Sequence, residues 1–191
     1  MILQCYIGEG NLEERRNMYL VSLYFDVKTN DRIQQYINTV AKRTGNTYML
    51  DGKVPPHITI SAFETRNEKQ VIDRLNTCMN QQQKGWVQWA SVGAFFPNVI
   101  YISPVLNVYL HELSVSVYDA VKGVEDMIIR KCYQPFCWLP HTTIAKKLSQ
   151  EEMRTAFIVL QESFGMFSGD VVRIGLAKTN PYEDIVTCEL K

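Results

Sequence analysis

Residues 55–61 read "PPHITIS" and residues 139–145 read "LPHTTIA". Both give Pro, His, any residue, Thr, Ile and a small residue, in a chain with only three histidines. On a strand, side chains two apart point the same way, with Cα atoms about 6.6 Å apart. His57 and Thr59 therefore share one face, and His141 and Thr143 share another. An imidazole and a hydroxyl so placed reach one phosphate-sized group lying over the strand. Ile58, Ile60 and Ile144 face the other way and suit a core, while Thr142 is ambiguous. Pro56 and Pro140 fit strand entry, where a missing N–H does no harm. Each motif thus sits at a strand start, near a rim that a substrate can approach.

Working outward, "MYLVSLYFDV" (18–27) is rich in β-branched and aromatic residues and predicts a central strand. Residues 30–44 place Ile33, Ile37 and Val40 at helical spacing, with Asn30 or Asp31 as cap and Gly45 as stop. Residues 67–80 read as a helix with Val71, Leu75 and Cys78 on one stripe. "WVQWASVGAFF" and "NVIYISPV" form a hairpin around Pro97-Asn98. Residues 106–123 have the spacing of an amphipathic helix, and residues 149–164 a helix opened by a Ser149/Glu152 capping box. "GDVVRIGLAKTN" and "EDIVTCELK" make a terminal hairpin around Pro181-Tyr182. The series helix, His-strand, helix, hairpin occurs twice, which is an internal duplication. No Gly-, Pro- or Ser-rich linker separates the halves. The expected organisation is a lead-in over residues 1–17 and one α+β domain over 18–191, its two lobes packed along a shared cleft.

Composition narrows the function. Of 191 residues, 46% are apolar and 21% charged, with 20 basic and 20 acidic residues, an ordinary balance for a soluble globular protein. A protein that grips long nucleic acid through its phosphates normally carries a basic excess. The zero net charge favours a small or short substrate, and DNA is not expected. The N-terminus lacks a signal-peptide pattern, and no run of about 18 apolar residues suggests a membrane span. The five cysteines, odd in number and scattered, fit a reduced cytoplasmic protein. A monomer is expected.

Two histidines facing each other across a cleft supply a general base and a general acid, because a reference pKa near 6.5 leaves both protonation states accessible. Phosphodiester cleavage needs a nucleophile deprotonated on one side of phosphorus and a leaving oxygen protonated on the other. Thr59 and Thr143 would donate to the non-bridging oxygens. Nothing in the scheme requires a metal or another cofactor, and no clustered carboxylates or HExxH helix offer a site for one. A single His on a strand is more often structural; two copies at the same place in a repeated unit favour function.

At these residues the chain resembles the 2H phosphoesterase superfamily, named for two His-x-Thr motifs. It looks most like the branch of 2'-5' RNA ligase-like proteins and cyclic nucleotide phosphodiesterases, over residues 18–190. "VGAFFPNVIYISPV" followed by a helix, and the terminal hairpin "IGLAKTNPYEDIVTCEL", extend the likeness. The resemblance implies a bilobal fold in which two antiparallel sheets line a central cleft, with helices outside. It implies that His57 and His141 are the acid–base pair and that Thr59 and Thr143 bind phosphate. The implied substrate is a nucleotide or short RNA: a 2',3'-cyclic phosphate, or a small cyclic, 2'-5'- or 3'-5'-linked species. The relatives also suggest an aromatic or cationic residue near the groove. Tyr24 and Tyr182 are candidates for base stacking or phosphate contact. Alternating parity would put Phe63 with His57, and Lys147 with His141.

Reversible 2'-5' ligation and non-catalytic nucleotide sensing use the same groups. A different class of protein is suggested by Cys132, Cys137 and His141, whose C-x4-C-x3-H spacing offers three zinc ligands but matches no familiar finger. Reduced buried thiols are the simpler reading. His111 has no Thr partner and suits a surface or interhelical position. Trp86, Trp89 and Trp138 suit core or rim packing.

Overall fold

The computed structural model describes residues 16–179 and 182–191. In chain order these form β1 (Asn17–Phe25), α1 (Val27–Thr44), α2 (Tyr48–Asp51), β2 (Ile58–Thr65), α3 (Glu68–Met79), β3 (Gly85–Phe95) and β4 (Val99–Pro104). Then come α4 (Val108–Val121), β5 (Ile128–Ile129), β6 (Thr142–Lys146), α5 (Gln150–Ser163), β7 (Phe167–Lys178) and β8 (Glu183–Glu189). The expected order of strands and helices holds, with α2, β5 and a 3-10 turn at Lys131–Tyr133 added. Residues 1–15 of the expected lead-in and Pro181 of the terminal turn lie outside the described residues. Among the described residues no helix is long and apolar enough to cross a membrane.

Helix α1 begins earlier than its expected caps, Asn30 and Asp31. Asp26 accepts from the Thr29 amide at 3.0 Å and hydroxyl at 2.6 Å, and from the Asp170 amide at 2.9 Å. One carboxylate thus satisfies orphan donors of the helix start and ties it to β7. The stop is as expected: Gly45 has φ 78°, and its N–H bonds the Ala41 carbonyl. The Ser149/Glu152 capping box opens α5.

Every strand pairing is antiparallel, and the order is β5-β2-β1-β7-β3-β4-β6 with β8 beside β7. The α+β class holds, and the two expected sheets are joined among the described residues into one connected eight-stranded sheet. β7 makes the join. One edge pairs β1; the opposite edge pairs β3 along Phe167–Val171 and then β8 from Arg173 onward.

The duplicated unit can be traced as β1-α1-β2-α3-β3 and again as β4-α4-β6-α5-β7. Each unit lays its third strand in the other's sheet, so that β7 pairs β1 and β3 pairs β4. The helices cross over as well: α1 packs on α5 and β6, while α4 packs on α3 and β2. Tyr19, Val21 and Leu23 from β1, Ile33 and Val40 from α1, and Ile100 and Ile102 from β4 are fully buried in the resulting core. Each such aliphatic side chain contributes about 1.5–3 kcal/mol of burial.

Candidate active site

His57 and His141 each stand one residue before their strand, β2 and β6. Both strands then carry the same irregularity. On the β1–β2 ladder Val21 faces Ser61 and Ser22 faces Thr59, so Ile60 is an extra residue. On the β4–β6 ladder Ile100 faces Ala145 and Tyr101 faces Thr143, so Ile144 is extra. Ile58, Ile60, Thr142 and Ile144 are all fully buried. The ambiguity at Thr142 is resolved by Trp89, whose Nε1–H donates to its Oγ1 at 3.1 Å in the core.

A bulge shifts strand alternation by one residue, and this corrects two expectations. Phe63 does not share the His57 face; it is fully buried and stacks on Tyr19, ring centroids 5.8 Å apart. Lys147 does not share the His141 face either. It is exposed, has φ 59°, and holds its ammonium 4.4 Å from the Tyr48 ring centroid. Lys146 takes the place expected for it, half-buried and near enough for its charge to act on His57.

The two imidazoles are held alike. His57 Nδ1 lies 2.8 Å from the Pro55 carbonyl oxygen, and His141 Nδ1 lies 2.9 Å from that of Leu139. A carbonyl only accepts, so Nδ1 must carry the proton in both rings. Nε2 is left as the nitrogen that gains or loses one, and among the described residues it has no partner. Burial holds both rings below the ordinary 6.5, against the pull of those carbonyl bonds. Lys146 pushes His57 further down, and the charge of His57 does the same to His141. The two rings are therefore electrostatic neighbours.

The segment between α4 and β6 brings them together. Ile128–Ile129 pairs with Phe63 and Glu64, the Arg130 amide donates to Ala62 at 2.9 Å, and its guanidinium pairs with Glu64. Trp138 then donates Nε1–H to the carbonyl of Thr59 at 3.0 Å. The strap that delivers His141 is thus laced along the strand that follows His57. Trp138 and Trp89 are packed as expected, whereas Trp86 is 56% exposed.

Around the threonines the sheet forms cross-strand rows. Thr59, Ser22 and Gly175 are register partners across β2, β1 and β7. Thr143, Tyr101 and Gly93 are their duplicates across β6, β4 and β3. Thr59 Oγ1 lies 3.4 Å from Ser22 Oγ. A Cβ on Gly93 would sit 2.5 Å from the Tyr101 ring, so glycine is what lets that ring lie across β3. Tyr101 and Phe95 pack 4.4 Å apart and flank His141 at 5.5 and 4.8 Å, centroid to centroid.

Tyr24 lies beside His57, ring centroids 6.3 Å apart. It is only 4% exposed, which leaves no open ring face for a stacking base. Its hydroxyl lies 3.1 Å from that of Tyr182, which donates to Asp184 Oδ1 at 2.7 Å. With the Tyr182 proton committed to a carboxylate, Tyr24 is the donor to Tyr182. Burial raises the pKa of both phenols. Tyr182 is 37% exposed and remains the more accessible ring. On the other side of Tyr24 stands Arg173, its register partner on β7, with Cζ 4.7 Å from the Tyr24 ring centroid.

Sequence reasoning missed Arg173, Lys146 and Tyr101, and it placed Trp138 in packing without its bond to the Thr59 carbonyl. A charged residue inside the apolar run "VVRIGLA" was the available signal for Arg173. Among the described residues no three His, Cys, Asp or Glu side chains gather as a metal site requires, so the C-x4-C-x3-H module does not assemble there. Cys137 is exposed rather than buried. His111 lies on α4 with its ring centroid 5.1 Å from that of Phe136.

A family model described as the 2'-5' RNA ligase superfamily matches residues 29–183. A Bacillus cytotoxicus protein named "Putative phosphoesterase" is 32% identical over 125 residues, which span 63% of this chain and 66% of that protein, just under two thirds of its length. Among solved structures, E. coli LigT complexed with 3'-AMP superposes with a TM-score of 0.62 at 11% identity, covering 93% of this chain and 99% of that one. TT0787 of Thermus thermophilus gives 0.60 at 13% identity, covering 92% and 98%. At such identities the likeness to the solved structures is one of fold.

Proposed function

Because the chain belongs to the 2'-5' RNA ligase superfamily of two-histidine phosphoesterases, we propose that it hydrolyses a nucleotide phosphodiester by paired-histidine catalysis without a metal. A 2',3'-cyclic phosphate, or a small cyclic or short oligonucleotide, is the substrate class. The observation that carries this is the matched pair of imidazoles, each with Nδ1 tied to the carbonyl two residues back and Nε2 left to move a proton. The nucleotide in the LigT structure and the zero net charge support a small nucleotide over long RNA.

One Nε2, neutral, takes a proton from the attacking water as the new P–O bond forms. The other, protonated, gives its proton to the departing ribose oxygen as the old P–O bond breaks. Thr59 and Thr143 donate to the non-bridging oxygens, and Lys146 offsets the charge held there. The histidines end with exchanged protonation states and reset through solvent. Tyr24 serves as a positioning residue that buttresses His57, and Tyr182 lies at the rim beyond it. Residues 18–191 would suffice for this chemistry, acting in the cytoplasm as a monomer.

The test is turnover of 2',3'-cyclic AMP to a monophosphate in the presence of EDTA. Product formation that persists under chelation is expected. Tight nucleotide binding with no turnover of any cyclic or oligonucleotide substrate would overturn the hydrolase in favour of a sensor.

A further inference from the structure

We infer that Arg173 holds a second phosphate of the substrate, next to the one between the histidines, so that the preferred substrate carries two phosphates. The Arg173 guanidinium is half-buried, and its Nε is buried with no hydrogen-bond partner. Among the described residues no carboxylate pairs with it; Glu189, its register neighbour on β8, is exposed and forms no ion pair with it. Its contact is the Tyr24 ring, which lies between it and His57. Tyr24 cannot serve an anion in its place, because its hydroxyl proton goes to Tyr182. A guanidinium that is partly desolvated, braced by an aromatic face and lacking a counter-charge is a site for an anion.

The fold itself does not demand the arginine. The duplicated rows set Gly175 against Gly93, and two residues earlier they set Arg173 against Ser91. A serine fills the same place in the other half without disturbing the sheet. The cation is thus a one-sided addition to a two-sided scaffold, on the His57 side of the groove. The second phosphate belongs either to a neighbouring internucleotide linkage or to a terminal monoester, and both present the same non-bridging oxygens.

Since this rests on the phosphodiester chemistry proposed above, the experiment separates the two. Wild type, Arg173→Gln and Arg173→Lys are assayed on 2',3'-cyclic AMP, on its 5'-phosphorylated form, and on a dinucleotide ending in a 2',3'-cyclic phosphate. Wild type is expected to favour at least one two-phosphate substrate over cyclic AMP in kcat/KM. Arg173→Gln should shrink that ratio about tenfold and lower the salt slope of binding by about 0.7, one phosphate contact on a single strand. Arg173→Lys should recover part of it. Which two-phosphate substrate is favoured tells a linkage from a monoester. No preference in wild type, or the same preference in Arg173→Gln, overturns the inference while leaving the hydrolase intact. If no substrate turns over, the hydrolase fails, and calorimetry still decides Arg173. Adenosine 3',5'-bisphosphate should bind wild type more tightly than adenosine 3'-monophosphate, by a margin lost in Arg173→Gln; equal margins in the two proteins overturn the inference.

Discussion

Along β2 and β6 the two halves of the groove repeat each other closely, and one strand away they stop doing so. Both histidines bond the carbonyl two residues back, and both isoleucines of the motif bulge from their ladders. Yet the strands beside His57 offer Tyr24 on β1 and then Arg173 on β7, where those beside His141 offer Ser103 on β4 and Ser91 on β3. The threonine rows differ the opposite way, with Ser22 in one half and Tyr101 in the other. Past the bulges Ala62 stands opposite Leu20, and Lys146 opposite Val99. What the halves share is what the proposed phosphoryl chemistry needs on both sides of the bond. Where they differ, the proposed mechanism lets the groove tell one end of a substrate from the other.

The largest expected effect tests the shared part. His57→Ala and His141→Ala should each lower kcat by on the order of 10²–10⁴-fold, the range for a lost general acid or base. Wild-type turnover in either variant would break the equivalence of the halves. Next comes the asymmetric cation: Lys146→Met should lower kcat/KM about tenfold or more, whereas Lys147→Met should leave it unchanged. The reverse ranking would restore the parity that the bulge at Ile144 cancels.

The pH profile sharpens the comparison further. The base must be neutral, so activity rises through its pKa; the acid must be protonated, so activity falls above its own. Both rings titrate below the ordinary 6.5 in the free protein, and kcat/KM reports the free protein. A bell with its maximum below 6.5 is therefore expected, and a maximum above it would contradict the burial of the pair.

The smallest effects separate the two tryptophans. Thr142→Val leaves the Trp89 N–H unpaired in the core and should cost about 1–3 kcal/mol in urea unfolding, with turnover of the folded protein retained. Trp138→Phe leaves the Thr59 carbonyl unpaired at similar cost, but should also lower kcat/KM, because it loosens the strap carrying His141. Equal activity losses in the two variants would erase that distinction.

Much of the fold was legible because it is locally written. The periods of α1 and α5, the Ser149/Glu152 box and the stop at Gly45 all depend on residues within a few positions of each other. The histidine pair was legible because it is repeated. The bulges were not: "HITISAF" and "HTTIAKK" both alternate on paper, and the extra residue is defined only against Val21–Ser22 and Ile100–Tyr101. Asp26 was passed over as a cap because its strength comes partly from Asp170, 144 positions away. Trp138 and Arg173 owe their places to β2 and β1, contacts that no local pattern records.

The exchange of third strands has a consequence for how such a groove arises. A lone unit of this kind ends in a strand with no partner in its own sheet, and two copies would satisfy each other only by pairing as a symmetric dimer. Every side chain of such a dimeric groove would appear twice, so a cation added for one end of a ligand would be imposed on the other as well. Joining the copies in one chain lifts that restriction: Arg173 can stand where the other half has Ser91, and Lys146 where it has Ala62, while the two histidines stay as they were.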